Sequence, residues 1–151
     1  MMQPEQVHLA RQWIGKAEED FRNAEYVLTL GDDCPVSTVC FHSQQCVEKY
    51  LKALLICHSL PVPKSHDLIE LIHRIPLTDR PNVREESLAI LNRYAVETRY
   101  PGDWDIISRH EAEDAFGIAR RVRETVGPQL TAAMEQGSAE DSPRDGDTRQ
   151  D

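Results

Sequence analysis

No stretch of about 18 apolar residues occurs in this chain, so no segment is expected to cross a membrane as a helix. The first residues, MMQPEQVHLARQW, carry neither a basic n-region nor an apolar h-region. No secretory signal is therefore expected, and the expected compartment is the cytoplasm. Glycine is scarce, 7 of 151 residues, and no glycine-rich phosphate loop or nucleophile elbow is present. Basic charge is also in deficit: 17 Lys and Arg stand against 26 Asp and Glu, for a net charge of -9. Phosphate neutralisation drives non-specific binding to nucleic acid, so an acidic chain must rely on a local basic patch for any contact with nucleotide or RNA. Cys34, Cys40, Cys46 and Cys57 match no zinc-ligand spacing. In a reducing compartment they are expected as small buried side chains rather than disulfides.

What is present is helical periodicity. From Pro4 to about Leu30, Val7, Ala10, Ile14, Ala17, Phe21, Ala24 and Leu28 recur in steps of three and four, one face of a helix. A second segment, from about Pro35 to Ser59, is apolar around much of its circumference and is expected at the centre of a bundle. Leu60-Pro61-Val62-Pro63 stops it. A third helix is expected to start at Ser65 as its N-cap and to end before Pro76. A fourth spans about Val83 to Thr98, followed by the turn Arg99-Tyr100-Pro101-Gly102-Asp103-Trp104. A fifth begins at Ser108, with Glu111 completing a capping box; Gly127-Pro128 is expected to end or kink it, with Gln129 to Gln136 as up to two further turns. Residues 137–151 carry five acids, two arginines and no large apolar side chain, the composition of a disordered acidic tail. The expected architecture is all-α: one up-and-down bundle of about five helices over residues 4–136, followed by the tail.

On the second segment, His42, Gln45, Lys49 and Lys52 step by three, four and three and so share one helix face. An imidazole, an amide and two ammonium groups suit an anionic group such as a phosphate. The same spacing also describes a solvated face, and Glu48, four residues before Lys52, supports a surface helix. His66, Glu70 and His73 also share a face, but no fourth ligand accompanies them and no metal is expected. Arg99 and Tyr100 suit a phosphate and a stacked base, or else Tyr100 and Trp104 plug one end of the bundle while Arg99 pairs with Asp103.

The run FHSQQCVEKYLKALL (Phe41 to Leu55), then SHDL (Ser65 to Leu68), then RYPGDW (Arg99 to Trp104) resembles the HEPN domain family, whose name stands for higher eukaryotes and prokaryotes nucleotide-binding. The first helix, with Ala17, Asp20 and Ala24, is similar too. The resemblance covers roughly Arg11 to Gln136 and rests on the ordered combination of the three motifs. It implies a four- to five-helix bundle, often a homodimer, and in many members a minimal nucleotidyltransferase as partner in a toxin–antitoxin or two-part system. A large branch of the family are metal-independent ribonucleases that carry an arginine followed four to six residues later by a histidine. None of His8, His42, His58, His66, His73 or His110 has an arginine so placed.

The resemblance therefore implies the non-nuclease branch: a cofactor-free binding partner rather than an enzyme. It carries over a ligand surface of His42, Gln45, Lys49, Lys52, His66, Asp67, Arg99 and Tyr100 for a nucleotide or other phosphate-bearing ligand, with RNA less favoured. His66 and Asp67 would add the free backbone N–H groups at the start of the third helix. The alternatives are a ribonuclease toxin with a divergent site built from His42 or His66 with Arg99, and a structural dimerisation module without ligand.

Overall fold

The computed structural model describes residues 2–95 and 106–140, with side chains through Gln136. Among these residues all regular structure is helical: α1 (Pro4–Leu28), α2 (Val36–Cys57), α3 (Leu68–His73), α4 (Glu85–Asn92) and α5 (Arg109–Glu140), with 3-10 turns at Gly31–Asp33 and Leu77–Asp79.

The long helices form where apolar spacing is continuous. On α1, Val7, Ala10, Ala17, Phe21 and Ala24 are buried, and Pro4 occupies the first turn, where its missing N–H costs nothing. On α2, Val39, Val47, Leu51, Leu54 and Leu55 are at most 1% exposed, and this helix packs against all four others. α1 runs antiparallel to both α2 and α5: Trp13 meets Lys52, Glu18 meets Arg123, and the carbonyl of Leu28 meets Arg109. The short α3 and α4 make the return between α2 and α5. Packing of these faces, rather than helix propensity, supplies most of the stability of such elements.

The ends of the helices differ from expectation in instructive ways. α2 closes before its prolines, through bonds from Ser59 N–H to Ile56 C=O (2.9 Å) and from Leu60 N–H to Leu55 C=O (2.9 Å), with Ser59 at a left-handed φ of 54°. That is a Schellman ending without the glycine that usually announces it. The N-cap of α3 is Asp67, not Ser65, and its carboxylate accepts from Ile69 N–H at 3.0 Å. α4 ends at Asn92, and residues 96–105, including the tail of the expected fourth helix, lie outside the described residues. α5 starts as expected, with Ser108 Oγ accepting from Glu111 N–H at 3.1 Å. It does not end at Gly127-Pro128 but continues through Pro128 to Glu140. Proline removes one backbone bond there. Val126 and Leu130 on either side are at most 1% exposed, and their burial holds the helix across the gap. Helix thus reaches four residues past the expected boundary at 136, and the rest of the proposed tail is outside the described residues.

Arg109 joins the first helix to the last. Its guanidinium donates to the carbonyl of Leu28 (2.8 Å), which the end of α1 leaves without an intrahelical partner, and to that of Gly31 (2.5 Å) in the 3-10 turn that follows, which also accepts from Cys34 N–H at 3.1 Å. Gly31 sits at a φ of +66°, in the left-handed region that lets the chain turn away from α1. All four cysteines are free; Cys40 and Cys46 are fully buried, while Cys34 and Cys57 are half-buried.

Candidate functional site

Asp20 lies within the apolar face of α1, three residues after Ala17 and four before Ala24, and is 6% exposed. A carboxylate cannot stay there charged without partners. α2 supplies two: His42 Nδ1 is 2.8 Å from Asp20 Oδ1, and Lys49 Nζ donates to Asp20 Oδ2.

A second carboxylate, Glu48, is 3% exposed and collects three groups. Lys52 Nζ donates to Oε2 at 3.3 Å, His66 Nδ1 lies 2.8 Å from Oε1, and Gln44 Nε2 donates to Oε1 at 3.4 Å. Gln44, fully buried, also donates to the carbonyl of His66 at 3.3 Å and accepts from Gln45 Nε2 at 2.6 Å. The Lys52 ammonium sits 5.3 Å from the centroid of the Trp13 ring, a cation–π contact in a desolvated place.

The Glu48–Lys52 pair is therefore not the exposed surface pair that its spacing suggests: the two side chains are 4% and 6% exposed. His42, Gln45, Lys49, Lys52 and His66 do come together, around two buried carboxylates. Asp67 does not join them. It caps α3 and accepts from Asn92 Nδ2 at 2.9 Å, while Asn92 Oδ1 accepts from Leu68 N–H at 2.9 Å. The backbone donors expected to favour an external anion at the start of α3 are thus met from within the protein. Arg99 and Tyr100 lie outside the described residues. His66, Glu70 and His73 do not converge. Glu70 pairs with Arg74 at 3.0 Å, and His73 pairs with Glu85. No group of three or more His, Cys, Asp or Glu side chains among the described residues is placed to hold a metal ion.

Sequence reasoning missed Gln44, Glu48 and Trp13 as members of this cluster, and saw Asp20 only through the family resemblance. The signal for Asp20 was available: an acid on an otherwise apolar helical face. Also unforeseen was a second polar junction, between α1, α2 and α5. Arg123 forks onto Glu18 at 2.8 and 3.0 Å, lies 4.3 Å from the Phe21 ring centroid, and Tyr50 donates to the same carboxylate.

The Arg123 guanidinium holds the Glu18 carboxyl below its ordinary range, with burial opposing and the Tyr50 hydroxyl assisting. Because the folded value is depressed, the stabilisation is present above the ordinary carboxylate value and is lost as pH falls through the lowered one. Arg123→Ala should cost about 1 kcal/mol at neutral pH, a figure discounted because Arg123 is 41% exposed. The difference between the two proteins in urea unfolding should shrink toward acid pH, and a difference independent of pH would show that the pair contributes only packing.

Comparisons with known proteins bear on the family and the fold. The sequence model of the HEPN domain family matches residues 10–129. The crystal structure of TT1696 from Thermus thermophilus is similar, with 29% identity and a TM-score of 0.64 over 80% of this chain and 97% of that one. The crystal structure of ST0689, an archaeal HEPN homologue, shows the same fold at 24% identity, with a TM-score of 0.63 and again 80% and 97% coverage. No curated protein matches the chain.

Proposed function

The chain belongs to the HEPN domain family, and from that premise we propose that it is a nucleotide- or substrate-binding partner of a minimal nucleotidyltransferase, in a two-component system of the toxin–antitoxin kind. One observation supports this reading above others: the donors lie at the surface and the acids beneath them. His42 and Lys49 side chains are each 20% exposed and His66 is 67% exposed, whereas Asp20 and Glu48 are 9% and 4% exposed. An approaching phosphate meets ammonium and imidazole groups before it meets a carboxylate. Lys49 uses one of its three N–H donors on Asp20 and keeps the others for a ligand. Each imidazole is held at Nδ1, so its orientation is set before the ligand arrives, which lowers the entropic cost of binding. The phosphate-bearing ligand and the transferase partner come from family membership. The contact residues His42, Gln45, Lys49 and His66 come from the cluster's geometry, with Lys52 beneath them as a buried counter-ion to Glu48.

Calorimetric titration with ATP and other nucleotides, alone and with any minimal nucleotidyltransferase encoded beside it, tests the reading. Lys49→Ala and His42→Ala should each weaken binding by about tenfold, the worth of one charged hydrogen bond. Absence of binding in both states, together with no complex between the two proteins, would sink it.

The same geometry favours one other activity, RNA cleavage. Two imidazoles, each steadied at Nδ1 by a buried carboxylate and each without an Nε2 partner among the described residues, have the form used in general acid–base catalysis. The missing arginine–histidine spacing places this second. RNA cleavage abolished by both His42→Ala and His66→Ala would reverse the order.

A further inference from the structure

Between α1 and α5 the helices do not close over one position. α5 has no side chain at Gly127, and a Cβ placed there would meet no atom within 4 Å. Gly127 lines a cavity of about 320 Å³, the lower end of the size that holds a small molecule. Its apolar lining is Ile14 of α1 with Leu130 and Met134 of α5, and its charged lining includes Arg123 and Glu124. Of the guanidinium's five N–H donors, Arg123 gives two to Glu18, and the others have no partner among the described residues. The Glu124 carboxylate also has no partner among the described residues. The Glu124 carbonyl receives no helical bond from position 128, because Pro128 has no N–H.

We propose that this cavity binds a free apolar α-amino acid, of the size of leucine or methionine, as its zwitterion. A carboxylate alone would meet Arg123 but oppose Glu124, and an amine alone would meet Glu124 but oppose Arg123. A molecule with both charges beside an apolar side chain satisfies the whole lining. Its carboxylate takes the Arg123 donors that Glu18 does not use, and its ammonium group takes the Glu124 carboxylate. Its side chain lies against Ile14, Leu130 and Met134, where burial from water favours it. Glu18 does not contend for the ammonium group, because Arg123 and Tyr50 already satisfy it. The Met134 thioether adapts to more than one shape, so selection among apolar side chains is modest. With Glu18 and Glu124 against Arg123 the lining is net acidic, which disfavours a nucleotide here. The site is separate from the His42–Lys49 surface, and the inference does not depend on the phosphate reading.

Calorimetric titration of the full chain with L-leucine or L-methionine should show one site, with a dissociation constant of about 0.1–1 mM for ligands this small. Isocaproate, which is leucine without its ammonium group, and isopentylamine, which is leucine without its carboxylate, should each bind about tenfold more weakly. Gly127→Leu fills the cavity from a position with open space and replaces glycine by a better helix former. It should abolish leucine binding while circular dichroism and thermal unfolding show an intact fold. Glu124→Gln should weaken leucine binding by about tenfold and leave isocaproate binding unchanged, because only the amino acid presents an ammonium group to that side chain. Three results would each overturn the inference: no binding of leucine or methionine up to about 10 mM, either analogue binding as well as leucine, or leucine binding that survives Gly127→Leu.

Discussion

Glu48→Ala should lower the unfolding free energy by about 3–5 kcal/mol, the usual consequence of leaving one member of a buried ion pair alone. Lys52 is 5% exposed, so its ammonium cannot reach bulk water without moving the helix or the Trp13 ring beside it. The substitution also removes the acceptor for His66 and for Gln44. Against a typical total of about 5–15 kcal/mol the loss is large, and thermal unfolding should shift down by roughly 10 °C. A packing defect alone would predict the same sign, so the informative comparison is Glu48→Leu/Lys52→Met. Removing both charges while keeping their volume should recover most of the loss, since buried pairs replaced by apolar residues are often neutral. A double variant as unstable as the single one would show that the charges are not the cause.

Asp20→Asn should have two effects of opposite benefit. Stability falls by about 1–2 kcal/mol, because Asp20 accepts from both His42 and Lys49 while those partners retain some contact with solvent. Affinity for a phosphate-bearing ligand rises. The buried carboxylate lies directly under the two groups proposed to meet the phosphate, and it opposes any anion placed above them. Removing a unit charge about 6 Å from a bound anion, at an effective dielectric between surface and bulk values, is worth ~1.4 kcal/mol, about tenfold in affinity. Lys49→Ala moves affinity the other way. Calorimetry of the two variants with the same nucleotide therefore separates a real phosphate contact, which gives opposite signs, from a merely structural cluster, which gives losses in both or no change.

The parts of this protein legible in its sequence are those governed by periodicity. α1, α2 and the beginning of α5 are written in apolar steps of three and four and in the Ser108 cap, and the polar stripe on α2 in the same arithmetic. What periodicity cannot show is which helix lies over a polar residue. Lys52 and Glu48 look like a solvent-exposed pair because helical spacing is identical for buried and exposed partners, and their burial is decided by α1 and the segment around His66. Asp67 had the composition of an anion site, but Asn92, on a helix distant in sequence, turns it into a structural cap. α2 ends at Cys57, within two residues of the expected end, and what stayed hidden was the form of that ending, because Ser59 adopts a backbone conformation for which glycine is the usual marker.

The way the chain closes on itself carries a consequence for how it folds. Met2, Val7 and Ala10 form a small apolar cluster with Ile56, and Ala133 and Met134 of α5 pack onto it, beyond Pro128. Side chains at the start of α1 are thus covered in part by the end of α2 and completely only when the far end of α5 arrives. Such contacts have the largest loop-closure penalty in the molecule, so they are expected to form after the folding transition state, with α1 and α2 pairing early. Mutations in this cluster should then speed unfolding and leave the folding rate nearly unchanged. During synthesis the start of α1 therefore stays incompletely covered until the part of α5 beyond Pro128 has emerged.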